Sequence, residues 1–228
     1  MRHLLIEIST ALTAIFSFSL GMFSLARKYR SKVIILWFLT TMAVTTWSVG
    51  YLLTLNSSND AIASLCIKIV YLGAVLIPIL FFHFITTFLF IDRKYKPVIV
   101  IGYILSIIFL LLIGFTNFII SGVVYMQNFG RYEEVEPFGF KVFLVYFLFF
   151  TFFGFYFLLR SYKLNGGVRR RQIFYVILAS IFGFVGGISN FVTDLTGVYP
   201  YGQMIVWLYP VFITYGIFMD EIQIKIKF

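Results

Sequence analysis

The residues of this chain that carry chemistry are few and far apart. Two histidines (His3 and His83), one cysteine (Cys66) and a handful of carboxylates are scattered among long apolar runs. His83 precedes Thr86 and Thr87 at helical spacing, which suits a hydrogen-bonded packing histidine first, and a ligand contact or pH-sensitive group second. Asn190 lies inside another apolar run, with Asp194 just beyond it and Tyr199 further on. A polar group inside such a run is a functional candidate by default, so His83, Asn190, Asp194 and Tyr199 form the candidate ligand-binding set. Glu7 and Lys68 could form an ion pair, although snorkelling to headgroups is the simpler reading. Two histidines and a lone cysteine supply too few ligands for a metal centre, and Cys66 reads as a buried inert thiol. Phosphate-loop, nucleophile-elbow and His-Glu-x-x-His patterns are missing from the sequence. No catalytic residue and no cofactor are expected.

The elements that must position these groups are membrane spans. Of 228 residues, 61% are apolar and only 12% charged, with 30 Phe, 15 Tyr and 3 Trp. A soluble domain would show about 45–50% and about 25%. That composition excludes a soluble enzyme, a disulfide-stapled secreted domain and a disordered tail. Charged clusters interrupt the apolar runs at intervals near the roughly 20 residues needed for one crossing. The spans fall at about 4–25, 33–55, 61–91, 97–115, 138–159, 172–192 and 201–219, as one membrane domain over 1–228. The first resembles a signal peptide at its start. Its length and the basic cluster Arg27-Lys28-Tyr29-Arg30 behind it favour a retained helix.

Lys and Arg set the orientation. The loops after spans one, three and five and the C-terminal tail hold 4, 3, 5 and 2 of them, 14 of 18 in all, against three acids. The opposite side holds four cations and six acids. The expectation is an all-α integral membrane protein, a seven-transmembrane-helix bundle with its N-terminus outside and its C-terminus cytoplasmic, in the cell inner (plasma) membrane. The net charge of +9 is then a topology signal and an attraction to anionic lipid, with no nucleic-acid partner.

Pro97, Pro137 and Pro200 fall at helix starts, where a missing N–H costs little. Pro78 and Pro210 fall inside spans three and seven as flex points. Small residues recur every four positions at Thr13, Ser17 and Gly21 and at Ala179, Gly183 and Gly187. They fit close packing within the chain first, and a dimer face second. The segment of about 116–137 reads as a short extracellular β-like hairpin followed by the acidic stretch Glu133-Glu134-Val135-Glu136.

Three stretches together resemble the N-terminal seven-helix membrane region of bacterial histidine kinases. Gly73-Ala74-Val75-Leu76-Ile77-Pro78 with Phe81, Phe82, His83 and Phe84 is similar to that region's third helix. Arg170-Arg171-Gln172 and Gly186-Gly187-Ile188-Ser189-Asn190 are similar to its sixth. Tyr199-Pro200-Tyr201-Gly202 and Tyr215-Gly216-Ile217-Phe218-Met219-Asp220 are similar to its seventh, and Trp47 with Gly50-Tyr51 fits the second. The resemblance implies a sensory input module in a two-component system. A small-molecule or peptide ligand from the outer side shifts the helices, and helix seven passes the change to cytoplasmic PAS or GAF, phosphoacceptor and ATPase domains. Here nine residues follow Met219, so the chain reads either as a stand-alone sensor that works with a cytoplasmic kinase or by self-association, or as a piece of a longer protein. The tail Ile222–Phe228 alternates with period two, like a strand or extended arm. The alternatives are a small transporter or lipid-handling protein, and an accessory subunit of a membrane complex.

Overall fold

The computed structural model describes residues 2–126, 131–135, 137–196 and 200–226; residues 2, 3, 131, 133, 193–195 and 220–226 are described by their backbone alone. Among the described residues seven α-helices follow one another: α1 (Arg2–Lys28), α2 (Lys32–Leu55), α3 (Asp60–Phe88), α4 (Lys96–Phe115), α5 (Phe138–Leu164), α6 (Gly167–Thr196) and α7 (Tyr209–Ile226). A hairpin of β1 (Gly122–Met126) and β2 (Arg131–Val135) joins α4 to α5, and a 3-10 helix, Tyr201–Leu208, precedes α7. Seven helical segments are long and apolar enough to cross a membrane, the last being the 3-10 helix with the first half of α7, Tyr201–Met219.

The loops after α1, α3 and α5 meet at one end of the bundle. There Lys32 faces Asp92 at 3.5 Å, and the Arg169 guanidinium lies 4.2 Å from the Phe88 ring centroid while donating to the Phe88 carbonyl. Arg27 caps the Phe23 and Phe218 rings at the same end. The opposite end carries the hairpin.

Helix α3 is the most enclosed, packed between α2, α4 and α5. Lipid tails are as apolar as Leu, so the helices gain nothing by hiding apolar surface from them; close contact and polar bonds must hold the bundle. Glycines provide the contact. A methyl group at Gly50 would come within 2.6 Å of the Val70 amide nitrogen, and one at Gly73 would strike the Trp47 backbone. Aromatic rings fill the α3–α5 seam: Phe82 meets Phe150 and Phe153 at centroid distances of 5.5 and 5.3 Å. Such pairs contribute about 0.5–1.5 kcal/mol each beyond area. Helix α4 lies at the rim, with Ile101, Ile104, Ile108 and Leu111 exposed on its outer face.

Helix α3 stops at Phe88, three residues before the apolar run does. Phe90 adopts φ 60°, its N–H bonds to Thr87 O at 3.1 Å and the Ile91 N–H bonds to Thr86 O at 2.8 Å. This is a Schellman closure with phenylalanine in the place that glycine normally takes. Helices α5 and α6 outrun the expected spans by turns at their ends, because Arg160, Lys163 and Arg169–Arg171 continue the helices beyond the apolar stretch.

Three readings change. Glu133, Glu134 and Val135 do not follow the hairpin; they belong to β2, with Glu134 paired to Val123 and Glu133 to Val124, while Glu136 lies outside the described residues. Span seven is not one α-helix. Its first half is 3-10, closed by the Tyr209 N–H bonding to Val206 O, and Pro210 stands in the first turn of α7 rather than mid-helix, where its missing N–H costs little. Residues 222–226 of the C-terminal tail are not extended, since α7 continues to Ile226; residues 227 and 228 lie outside the described residues. The tail's period-two pattern was too short to outweigh a helix already under way.

Candidate functional site

Between α2, α3, α6 and the start of α7 the packing leaves a cavity of about 80 Å³. Its wall includes Trp37, Val44 and Trp47 from α2 and Ala179, Gly183 and Gly187 from α6. Trp37 and Trp47 are ten residues apart on α2, so the wall of this slot draws on nearly three turns of that helix. The small residues of α6 create it. A methyl group at Gly183 would touch Tyr209 Cβ at 3.4 Å, whereas one at Gly187 would meet nothing within 4 Å. The Ala179-Gly183-Gly187 stripe thus faces the chain's own interior.

The lining is apolar with a few polar atoms at its margins and holds no charged side chain. Asn190, on the last turns of α6, donates to Gln203 Oε1 of the 3-10 helix at 2.8 Å. Gln203 in turn donates to Thr10 Oγ1 of α1 at 3.2 Å, and Ser9 Oγ donates to its carbonyl at 2.8 Å. This chain of bonds ties three elements together near the hairpin end. Glycines allow it: a methyl group at Gly186 would lie 2.8 Å from the Gly202 carbonyl oxygen, so the 3-10 helix crosses α6 backbone to backbone.

Two buried polar atoms on the slot residues have no hydrogen-bond partner: Asn190 Oδ1 and Trp37 Nε1. Trp37 is fully buried, its indole against Phe84 and Tyr209 at 5.7 and 5.9 Å. Tyr209 is the first residue of α7, and its hydroxyl shares a 3.0 Å hydrogen bond with Ser17 of α1.

A second, smaller cavity of about 30 Å³ adjoins the first, sharing Trp47, Ala74, Asn190 and Phe191. It reaches the hairpin, where the Tyr71 hydroxyl donates to Glu134 Oε1 at 3.0 Å. Tyr132 of β2 also lines it and donates to Asp60, the first residue of α3. That bond and the negative charge of Asp60 hold the Tyr132 phenol above its ordinary pKa of 10.0.

Of the sequence-derived candidates, Asn190 sits on both cavities. His83 does not: it lies near the basic end of α3, with Nδ1 3.0 Å from the Tyr103 hydroxyl of α4 and the rings edge to face. Asp194 is on the last turn of α6, with its side chain outside the described residues, and Tyr199 lies outside them altogether. Among the described residues no bond joins Glu7 to Lys68. Trp37, Gln203 and Tyr209 were missed. Gln203 had a signal, as an amide placed within span seven; Trp37 looked like one aromatic among many.

A model of the N-terminal 7TM region of histidine kinase matches residues 9–222. The chain belongs to this family. The slot, its polar margin and the junction of the 3-10 helix with α7 all fall within the matched residues. As a histidine-kinase 7TM region the protein is a multi-pass membrane sensor input module. No curated protein matches the chain.

Proposed function

We propose that this 7TM region senses through the slot and signals through α7. One observation carries the reading: Tyr209, the residue at which the 3-10 helix becomes α7, is itself part of the slot wall. Whatever changes the slot's occupancy bears on the root of the helix that leaves the bundle at the basic end. The physical event is a shift between two packings of α7 against α1 and α6, and an occupant biases it only by its differential affinity for them. The lysine and arginine distribution supports an orientation with the N-terminus and hairpin outside and the basic end in the cytoplasm of a plasma-membrane protein. The module performs no chemistry of its own and hands its change to a cytoplasmic kinase.

The reading is tested without a ligand. Gly183→Leu presses a side chain from the slot onto Tyr209. Spin labels at Leu39 and Tyr215, both exposed on the outer surface of the bundle, report the position of α7. The distance between them is expected to shift by about 1–2 Å, the usual scale of signalling helix movements. Superimposable distance distributions in the two proteins would sink the coupling.

A further inference from the structure

We propose that a cleft at the basic end of the bundle binds one anionic phospholipid by its phosphodiester. The cleft lies between the start of α2 and the loop after α3, is open to the surface and measures about 530 Å³. A phosphodiester with its glycerol has about a dozen non-hydrogen atoms, and at no more than roughly 30 Å³ each they need about 360 Å³. Two cations line the cleft, Lys32 and Arg93, with Asp92 beside them. Both cations are exposed, so an anion arriving from outside reaches them. Lys32 gives one of its three donors to Asp92, at 3.5 Å. Arg93 has no ion pair among the described residues. Two cations and one carboxylate leave the lining at a charge that a single phosphodiester neutralises. A phosphomonoester, at about −1.5 to −2 near neutral pH, would bring surplus negative charge up to Asp92. Phe90 forms part of the wall. It holds φ 60° with its side chain 82% exposed, a strained backbone carrying a ring that the protein itself hardly covers. At the headgroup boundary, where aromatic residues gather, the glycerol and first methylenes of a lipid cover that ring. Phosphodiesters are also the anions that a leaflet places at this end, whichever way the bundle faces. The site is separate from the slot and does not rest on the sensing route.

The test is native mass spectrometry of the protein released from nanodiscs of mixed phosphatidylglycerol and phosphatidylcholine. The wild type is expected to keep one phosphatidylglycerol in preference to phosphatidylcholine. Lys32→Gln combined with Arg93→Gln should weaken that retention roughly 25-fold, about five-fold for each charge removed. Arg160→Gln combined with Arg171→Gln takes the same charge from the same end but outside the cleft. Acting only through a screened field, it should change retention less than about two-fold. Thermal unfolding gives an independent reading. Adding phosphatidylglycerol to phosphatidylcholine nanodiscs should raise the melting temperature of the wild type and the control pair, and not that of the cleft pair. The shift is read within each protein, so a lower starting stability does not obscure it. Equal retention of the two lipids, an equal loss in the control pair, or an unaffected cleft pair would each overturn the proposal. Inorganic phosphate separates a lipid headgroup from a soluble anion. Phosphate that displaces the lipid at millimolar concentration, or that raises the melting temperature in phosphatidylcholine alone, would show a free anion as the occupant and overturn the lipid.

Discussion

Tyr209 and Ser17 share a 3.0 Å hydrogen bond between hydroxyls 192 positions apart in the chain. The bond fastens the root of α7 to the middle of α1, beside the wall of the slot. Interhelical hydrogen bonds inside membranes average about 0.6 kcal/mol and reach about 1.7. Tyr209→Phe and Ser17→Ala should therefore each cost about that much in thermal or denaturant unfolding, and the double variant should cost little more than either alone. Fully additive losses would show that the two hydroxyls do not act on each other.

Gln203 bonds both Asn190 and Thr10. Gln203→Leu keeps the apolar volume but strands the Asn190 amide, at a cost of roughly 1–3 kcal/mol. Gln203→Glu should be milder, since the carboxylic acid still accepts from Asn190. The check is a melting curve in detergent or nanodiscs; a Leu variant as stable as wild type refutes the network.

Phe90 holds φ 60°, a conformation costing a residue with a Cβ about 1–2 kcal/mol. Its side chain is 82% exposed, so little packing is lost on truncation. Phe90→Gly should stabilise the protein by about 0.5–1 kcal/mol once the added freedom of the unfolded chain is set against the relieved strain. A lowered melting temperature would place the value of Phe90 in its contact with Arg169.

Tyr132 donates to Asp60, which keeps it protonated at pH values where an ordinary tyrosine ionises. A raised folded pKa means that the bond's stabilisation is complete below the unfolded value near 10 and is lost as pH rises through the folded one. Hairpin docking should therefore persist at pH 10 and loosen above it. Asp60→Asn should return the titration of ¹³Cζ-labelled Tyr132 toward 10, and an unmoved midpoint would rule the interaction out.

The orientation has its own measurement. Reporter fusions after Asn165 and at Phe228 should read cytoplasmic and one after Asn128 external. The reverse pattern overturns the inside-positive assignment.

The seven spans were legible because Lys and Arg clusters cut the apolar runs at membrane-sized intervals, a pattern that needs no tertiary information. The hairpin was legible from its glycines and β-branched residues. Its acidic residues were misplaced because glutamates in a two-stranded edge carry no strand signature. The 3-10 helix was hidden for another reason: Tyr201–Leu208 has the composition of any apolar helix, and its tighter winding is tied to a glycine crossing with α6 and to Pro210. Asn190 stood out as a polar residue in an apolar run. Trp37 and Tyr209 did not, because a chain with this many aromatics gives no hint of which rings line a cavity. Only long-range assembly brings residue 203 to residue 10.

The slot has a mechanical consequence. Space enclosed in a close-packed bundle is volume that a collapsed arrangement does without, and compression favours whichever state is smaller. Hydrostatic pressure and an occupant of the slot therefore act on the bundle in opposite senses, one closing it and the other propping it open. On the sensing route proposed above, the same void makes the root of α7 the compressible part of the bundle.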